Sequence, residues 1–268
     1  MADHIYDETH SQVLVNRLRP GDIVFIATHL AGDFFCNYGS RIDVPYTIIT
    51  HNSDMAVGEA LISLMSRNVL AWFAQNNTYA HERVIPIPIG LENLHHLRAG
   101  IPAKFTALGQ CPTRTKNRIL VSFKIATNKE ERTRIYHVAS QAACAECLPT
   151  WLDQDTYLRT LSEYRFVLSP PGNGLDTHRT WEAMYLGVIP IVGDSVAMRS
   201  FEALGLPVWI LRNWDDLRAI REEELDAKYE QWKPRFSNPA LYLEYWQRRF
   251  IKCGKTRHTP ARTLTPAA

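Results

Sequence analysis

Between two apolar runs, each the length of a buried strand, the segment FVLSPPGNGLDTHRTWEAMYLGVIPIV (Phe166 to Val192) carries an imidazole, a guanidinium and a carboxylate: His178, Arg179 and Glu182. A connection that only packs has no use for these groups. The turn Ser169 to Gly174 precedes a helical pattern starting near Thr177, a residue type that caps helices. In an open parallel sheet such a strand-to-helix turn lies at the carboxyl edge, where ligands bind. The unpaired N–H groups of the helix start favour an anion. His178 and Arg179 fall in the first turn, where the helix dipole disfavours cations unless a phosphate compensates them. The packing alternative is an i, i+3 salt bridge from Arg179 to Glu182. Glu182, one turn on, can accept both hydroxyl hydrogens of a ribose cis-diol, and Gly187 supplies the helix stop. The dinucleotide fingerprint fails, because Thr177 stands where a third Gly belongs after Gly172 and Gly174, and no Walker lysine follows.

A second phosphate contact is expected in FKIATNKEER (Phe123 to Arg132). Thr127 and Glu130 have capping-box spacing, and Lys124, Lys129 and Arg132 surround that helix start. Two helix starts with cations on one sheet edge describe a place for a nucleotide's phosphates.

The elements that would position these residues follow a βα rhythm, the signature of mostly parallel sheets. Strands are expected at Asp22–Thr28, Tyr46–Thr50, Val69–Ala74 and Arg83–Ile89, the last at an edge or an extended exit from the sheet, because Pro86 and Pro88 cannot donate to a ladder. Residues 100–117, with two Gly and two Pro and little periodicity, read as a connection. After it come strands at Arg118–Phe123, Arg165–Ser169, Val188–Val192 and Val208–Leu211. Helices are expected from Thr127, from Asp153 to Tyr164, from Ser195, from Asn213 to Trp232 and from Pro239 to Phe250. The last carries an aromatic stripe suited to packing across the other elements. The expected division is a first domain over 1–100, a nucleotide-binding domain over 117–235, a returning helix over 236–253 and a disordered tail over 254–268.

Length and charge narrow the function classes. The 268 residues, 46% hydrophobic, suffice for two α/β cores. Thirty Lys and Arg against 28 Asp and Glu leave a net charge of +2, far from the basic footprint of a nucleic-acid binder. The five Cys, an odd number, fit reduced thiols, and Cys144 and Cys147 in CAEC read as ordinary helix or loop residues. His95 and His96 are adjacent, not at ligand spacing, so no metal site is expected. No apolar run approaches the ~20 residues that span a bilayer, and a soluble, cytoplasmic protein is expected.

The Phe166 to Val192 segment resembles the nucleotide-sugar-binding motif of exostosin-like glycosyltransferases, closest to the ribitol xylosyltransferase branch. ITHNSD, WFAQN and IPIPIGLEN are similar to that branch's N-terminal segments, so the resemblance spans roughly residues 20 to 235. It implies a GT-B architecture: two Rossmann-like domains facing a central cleft, and transfer from a nucleotide sugar without an obligatory metal. It implies Glu182 as the ribose ligand, Arg179 as a diphosphate contact, and Asn173, Gly174, Thr177 and His178 in the loop over the nucleotide. Lys124, Thr127, Asn128 and Arg132 are implied as further donor contacts. The expected activity is sugar transfer from a UDP-type donor to a hydroxyl of a glycan or glycoconjugate, with inversion. The alternatives are a GDP-fucose donor or a non-catalytic binding module. An inverting transfer needs a base on the face opposite the leaving group, which the GT-B resemblance implies belongs to the first domain. Asp54 and His51, emerging after a buried-looking strand, are the candidates, with Asp33 and His29 behind them; Asp54 can instead cap the following helix.

Overall fold

A computed structural model describes residues 2–10, 15–94, 96, 99–109, 115–148 and 152–255. The described residues form two all-parallel sheets. The first has the order β1-β2-β3-β4-β5, from β1 (His4–Tyr6), β2 (Ile23–Ala27), β3 (Tyr46–His51), β4 (Val69–Ala74) and β5 (Val84–Pro86). The second contains β6 (Lys116–Val121), β7 (Ala145–Cys147), β8 (Tyr164–Leu168), β9 (Ile189–Gly193) and β10 (Trp209–Leu211), in the order β10-β9-β8-β6-β7. The helices are α1 (Ala31–Phe34), α2 (Glu59–Ile62), α3 (Pro102–Gly109), α4 (Lys129–Ser140), α5 (Gln154–Ser162), α6 (His178–Tyr185), α7 (Val196–Ala203), α8 (Glu222–Trp232) and α9 (Leu243–Lys255).

The second sheet contains a winding reversal. From β6 the chain passes outward to β7, then returns to place β8 on the other side of β6. The loops leaving β6 and β8 therefore diverge at the carboxyl edge and open a crevice between them. These are the FKIATN and SPPGNG segments.

The first sheet steps in one direction, so its own connections cover one face. Val24, Ile26, Ile48 and Trp72 pack on that face beneath α1 and α2. The alternate residues Ile23, Ile49, Ala71 and Phe73 point the other way, as a strand's two-residue period requires. That second face is covered by Trp246 and Phe250 of α9 and by Trp181, Met184 and Phe201 of α6 and α7. Phe73 meets Phe250 edge to face with centroids 4.7 Å apart, and Trp181 meets Phe201 at 5.1 Å. Burying each such ring stabilises by ~1.5–3 kcal/mol. The two sheets thus share one apolar seam, which fixes the walls of the cleft above it.

Several elements differ from the sequence reading. β1 and β7 are strands of three residues that it lacks, and β7 includes Cys147 of CAEC, read there as helix or loop. The connection 100–117 holds α3, which starts on Pro102 and buries Phe105 against Leu120 and Tyr164. The long helix from Asn213 is two pieces, a 3-10 helix Trp214–Ala219 and then α8, because Ile220 adopts an extended conformation as it enters the core. Asn213 still caps the first piece through the Asp215 N–H. The helix expected from Pro239 begins as a 3-10 turn, Pro239–Leu241, and α9 follows it. Cys111, His95 and the tail beyond 255 lie outside the described residues.

Candidate functional site

A cleft of about 450 Å3 opens above the winding reversal, lined by the loops after β6 and β8, the faces of α5 and α6, and first-domain residues Asp54, Ile89 and Glu92. A neighbouring polar cavity of about 370 Å3, lined by His51, Asn52, Gln75 and Asn93, shares Asp54, Ile89, Glu92 and His178 with it.

Polar groups at the cleft floor join the domains. Asp176, 2% exposed, accepts the Ile89 N–H at 2.8 Å and the Trp181 Nε1–H at 2.8 and 2.9 Å. Burial pushes its carboxyl up to about 6. Asn76, in the left-handed region at φ +54°, accepts the Asp176 N–H at 3.0 Å and donates to Ser53 O at 3.3 Å. Gly174 passes directly beside it. A Cβ on Gly174 would lie 2.8 Å from Asn76 Nδ2, so only glycine fits there without displacing the domain contact.

Thr177 takes the N-cap position of α6, in extended conformation, but its side chain caps nothing. Its hydroxyl lies 3.0 Å from Ser169 Oγ instead. The α6 N-terminus thus carries no side-chain cap, and its first residues, Thr177, His178 and Arg179, line the cleft. His178 donates from Nδ1 to Gly90 O at 2.8 Å and sets Nε2 3.3 Å from Glu92 Oε2, a further domain contact. Arg179 forms no ion pair with Glu182 among the described residues. Its guanidinium packs 6.0 Å from the Phe123 ring centre and 5.9 Å from that of Tyr157. Glu182 is 6% exposed and accepts from Gln154 Nε2 at 2.8 Å. Burial raises its pKa, with Gln154, Arg179 and His178 opposing.

The capping box expected at Thr127 is absent. Residues Ile125–Asn128 form a 3-10 turn, and Asn128 is the N-cap position of α4, with its amide donating to Glu131 Oε2 at 2.8 Å. Asn128 does not line the cleft. Thr127 does, with its hydroxyl donating to Lys124 O at 3.0 Å. Arg132 is a buried clamp. Its Nε donates to Pro171 O at 2.7 Å, one terminal nitrogen donates to Lys124 O at 2.7 Å and Thr127 Oγ1 at 2.6 Å, and the other donates to Pro170 O at 3.1 Å. Four of the five guanidinium N–H groups thus tie the two diverging loops together among the described residues. Burial, and then the charge of Arg179, lower Arg132 to about 10. Lys124 is exposed at the cleft wall, and Asn173 is exposed on the Gly turn.

On the first-domain side, Asp54 lines both cavities and makes no hydrogen bond or ion pair among the described residues. It caps no helix, since α2 starts after Gly58. Both His51 ring nitrogens are occupied, Nδ1 2.9 Å from Asn52 Oδ1 and Nε2 3.2 Å from Pro88 O, and burial lowers its pKa. Asp33 accepts from Tyr6 and Asn37, and His29 pairs with Glu8 at 2.9 Å, so neither lines the cleft. Gln154, Tyr157, Glu92 and Asp176 line the cleft without having been singled out in sequence, because each acts through a partner far along the chain.

No family model and no curated protein sequence matches this chain. Solved structures do. The apo structure of OtsA aligns with a TM-score of 0.52 at 11% identity, over 90% of this chain and 74% of that one. The fold is GT-B. The alpha,alpha-trehalose 6-phosphate synthase from Burkholderia multivorans aligns at 0.49 and 10% identity, over 90% and 71% of the two chains. The spinosyn rhamnosyltransferase SpnG aligns at 0.41 and 11%, over 84% and 72%. In this GT-B fold the cleft described above lies between the two Rossmann-like domains. Among the described residues, no helix is long and apolar enough to cross a membrane.

Proposed function

We propose that this protein is a glycosyltransferase that moves a sugar from a nucleoside diphosphate donor to a hydroxyl of a glycan or glycoconjugate. One observation carries the reading: Glu182, a buried carboxylate, sits one turn inside an uncapped helix N-terminus that opens on the interdomain cleft of a GT-B fold. In this reading Glu182 accepts the ribose hydroxyls, and Arg179, Lys124 and the α6 N–H groups face the diphosphate. Thr127 and Arg132 complete that wall, with Asn173, Gly174 and His178 around the nucleotide. A UDP-type nucleotide and kinship with the exostosin-like enzymes are what the sequence resemblance implies, and belong to the same proposal.

Transfer proceeds with inversion. The acceptor hydroxyl attacks the anomeric carbon from the first-domain side while the bond from that carbon to the diphosphate oxygen breaks. Asp54 takes the hydroxyl proton, and the cations and helix end stabilise the departing diphosphate. No metal is required in this scheme. Calorimetric titration with UDP, GDP and TDP, followed by assay of sugar release from the matching nucleotide sugars, tests the reading. Binding of a nucleoside diphosphate in the micromolar to millimolar range, with sugar transfer or slow donor hydrolysis, is the expected result. No binding of any of the three would refute it.

A further inference from the structure

Helices α5 and α6 present two side-chain pairs to the cleft, each at i, i+3 spacing and therefore on one helix face: Gln154 and Tyr157 from α5, Arg179 and Glu182 from α6. One cross pair is closed, because Gln154 Nε2 donates to Glu182 Oε1 at 2.8 Å. The other is open. Tyr157 Oη and Arg179 Nε are both buried and, among the described residues, both without a hydrogen-bond partner, and Tyr157 as a residue is 8% exposed. The two side chains are neighbours, with the Arg179 guanidinium 5.9 Å from the Tyr157 ring centre. Buried polar atoms are paired in the great majority of cases, so two such atoms on residues that line one cleft point to a ligand atom that satisfies both.

The charges around them select the kind of atom. The guanidiniums of Arg132 and Arg179 lie 5.4 and 6.0 Å from the same Phe123 ring centre, and among the described residues neither forms an ion pair with a carboxylate. A guanidinium only donates, and a tyrosine hydroxyl beside it can also donate. A hydroxyl and a guanidinium N–H, with the Arg132 guanidinium beside them, call for an anionic oxygen, and charge-assisted bonds to such an oxygen are the strong ones. Glu182, on the same face of α6, is already oriented by Gln154 and is the natural acceptor for hydroxyls.

Resting on the reading of the cleft as a nucleotide-sugar site, we infer that Tyr157 is a donor-binding residue: its hydroxyl and Arg179 Nε–H both donate to a phosphoryl oxygen of the diphosphate, while Gln154 positions Glu182 for the ribose. The hydroxyl then serves binding and not folding. Tyr157→Phe keeps the ring, which packs with Leu158 and Leu161 in the second-domain core, and removes a single unpaired oxygen.

The test measures affinities for UDP, GDP, TDP and their nucleosides in the wild type, Tyr157→Phe and Gln154→Ala, together with the Tm of each free protein. For the nucleotide that binds best, Tyr157→Phe is expected to lose roughly tenfold or more in diphosphate affinity. Its nucleoside affinity should be unchanged and its Tm equal to or above that of the wild type. Gln154→Ala should weaken nucleoside and diphosphate alike. A wild type that binds a diphosphate, beside a Tyr157→Phe protein that binds it equally well or simply melts earlier, would overturn the inference and leave the functional reading standing. A wild type that binds no nucleoside diphosphate would overturn that reading itself.

Discussion

Asp176 and Ile89 are 87 residues apart in the chain and 2.8 Å apart at the bottom of the cleft, where the carboxylate of one accepts the backbone N–H of the other. Asp176 also holds Trp181 of α6, whose ring belongs to the seam shared by both sheets. The carboxylate therefore sets the height of α6 against the first domain, and with it the spacing between Glu182 and Asp54.

That role gives stability a pH signature. Burial raises Asp176 from the usual 3.8 to about 6 in the folded protein. Between about pH 4 and 6 the folded form binds a proton that the unfolded chain has released, so this residue's contribution to stability falls as pH rises through that window and is flat above it. The amplitude is on the order of 3 kcal/mol. In Asp176→Asn the step should vanish: chemical denaturation of wild type and mutant at pH 4, 5, 6 and 7 should give a difference curve that slopes through 4 to 6 and levels off afterwards. A difference curve flat throughout would mean the carboxyl titrates normally.

The framework was legible because it rests on local signals. Apolar β-branched runs gave β2, β3, β4, β8 and β9. Of the two readings Pro86 and Pro88 left for the Arg83–Ile89 run, edge strand or extended exit, both hold in part: Val84–Pro86 is the edge strand β5, and Ile87–Ile89 leave the sheet. The Gly turn and helix start around Thr177 were readable from residue types alone. β1 was not, since a three-residue strand in a polar terminus, with only Tyr6 buried, leaves no alternation to count. Thr127 and Glu130 had capping-box spacing, but Arg132 claims the Thr127 hydroxyl for the loop clamp, a tertiary contact that outweighs the local preference. Gln154, Tyr157 and Asp176 stayed hidden because their meaning lies in partners such as Glu182, Arg179 and Ile89, which pattern and propensity do not connect to them.

Glu182→Ala removes a buried carboxylate that, among the described residues, accepts a hydrogen bond from Gln154. Charge-assisted hydrogen bonds are worth ~1.5–3 kcal/mol, so nucleotide affinity should fall roughly 10- to 100-fold. The loss should appear for the nucleoside as well as the diphosphate, because the ribose is common to both. Unchanged affinity in a folded mutant would remove Glu182 from the donor site.

Arg179→Ala separates charge from packing. Among the described residues its guanidinium forms no ion pair with a carboxylate, and in the proposed site it faces the diphosphate. The mutant should lose diphosphate affinity by about tenfold or more while nucleoside affinity changes little. Equal losses for the two ligands would assign Arg179 to holding Phe123 and Tyr157 in place.

Asp54 carries the sharpest test of the chemistry. Its carboxylate is exposed at the junction of the two cavities, has no protein partner among the described residues and caps no helix, so Asp54→Asn should leave stability within about 0.5 kcal/mol of wild type. Loss of a general base costs ~10²–10⁴ in turnover. Donor affinity should be unchanged, because Asp54 stands across the cleft from Glu182 and Arg179. His51 is the competing base, but both its ring nitrogens face oxygen atoms of Asn52 and Pro88, and taking up the acceptor's proton would charge a buried imidazole whose pKa burial already lowers. Steady-state kinetics of Asp54→Asn beside His51→Gln should therefore show the large fall in kcat in the first and a smaller one in the second. Near wild-type turnover in Asp54→Asn, with a collapse in His51→Gln, would transfer the role of base to the imidazole.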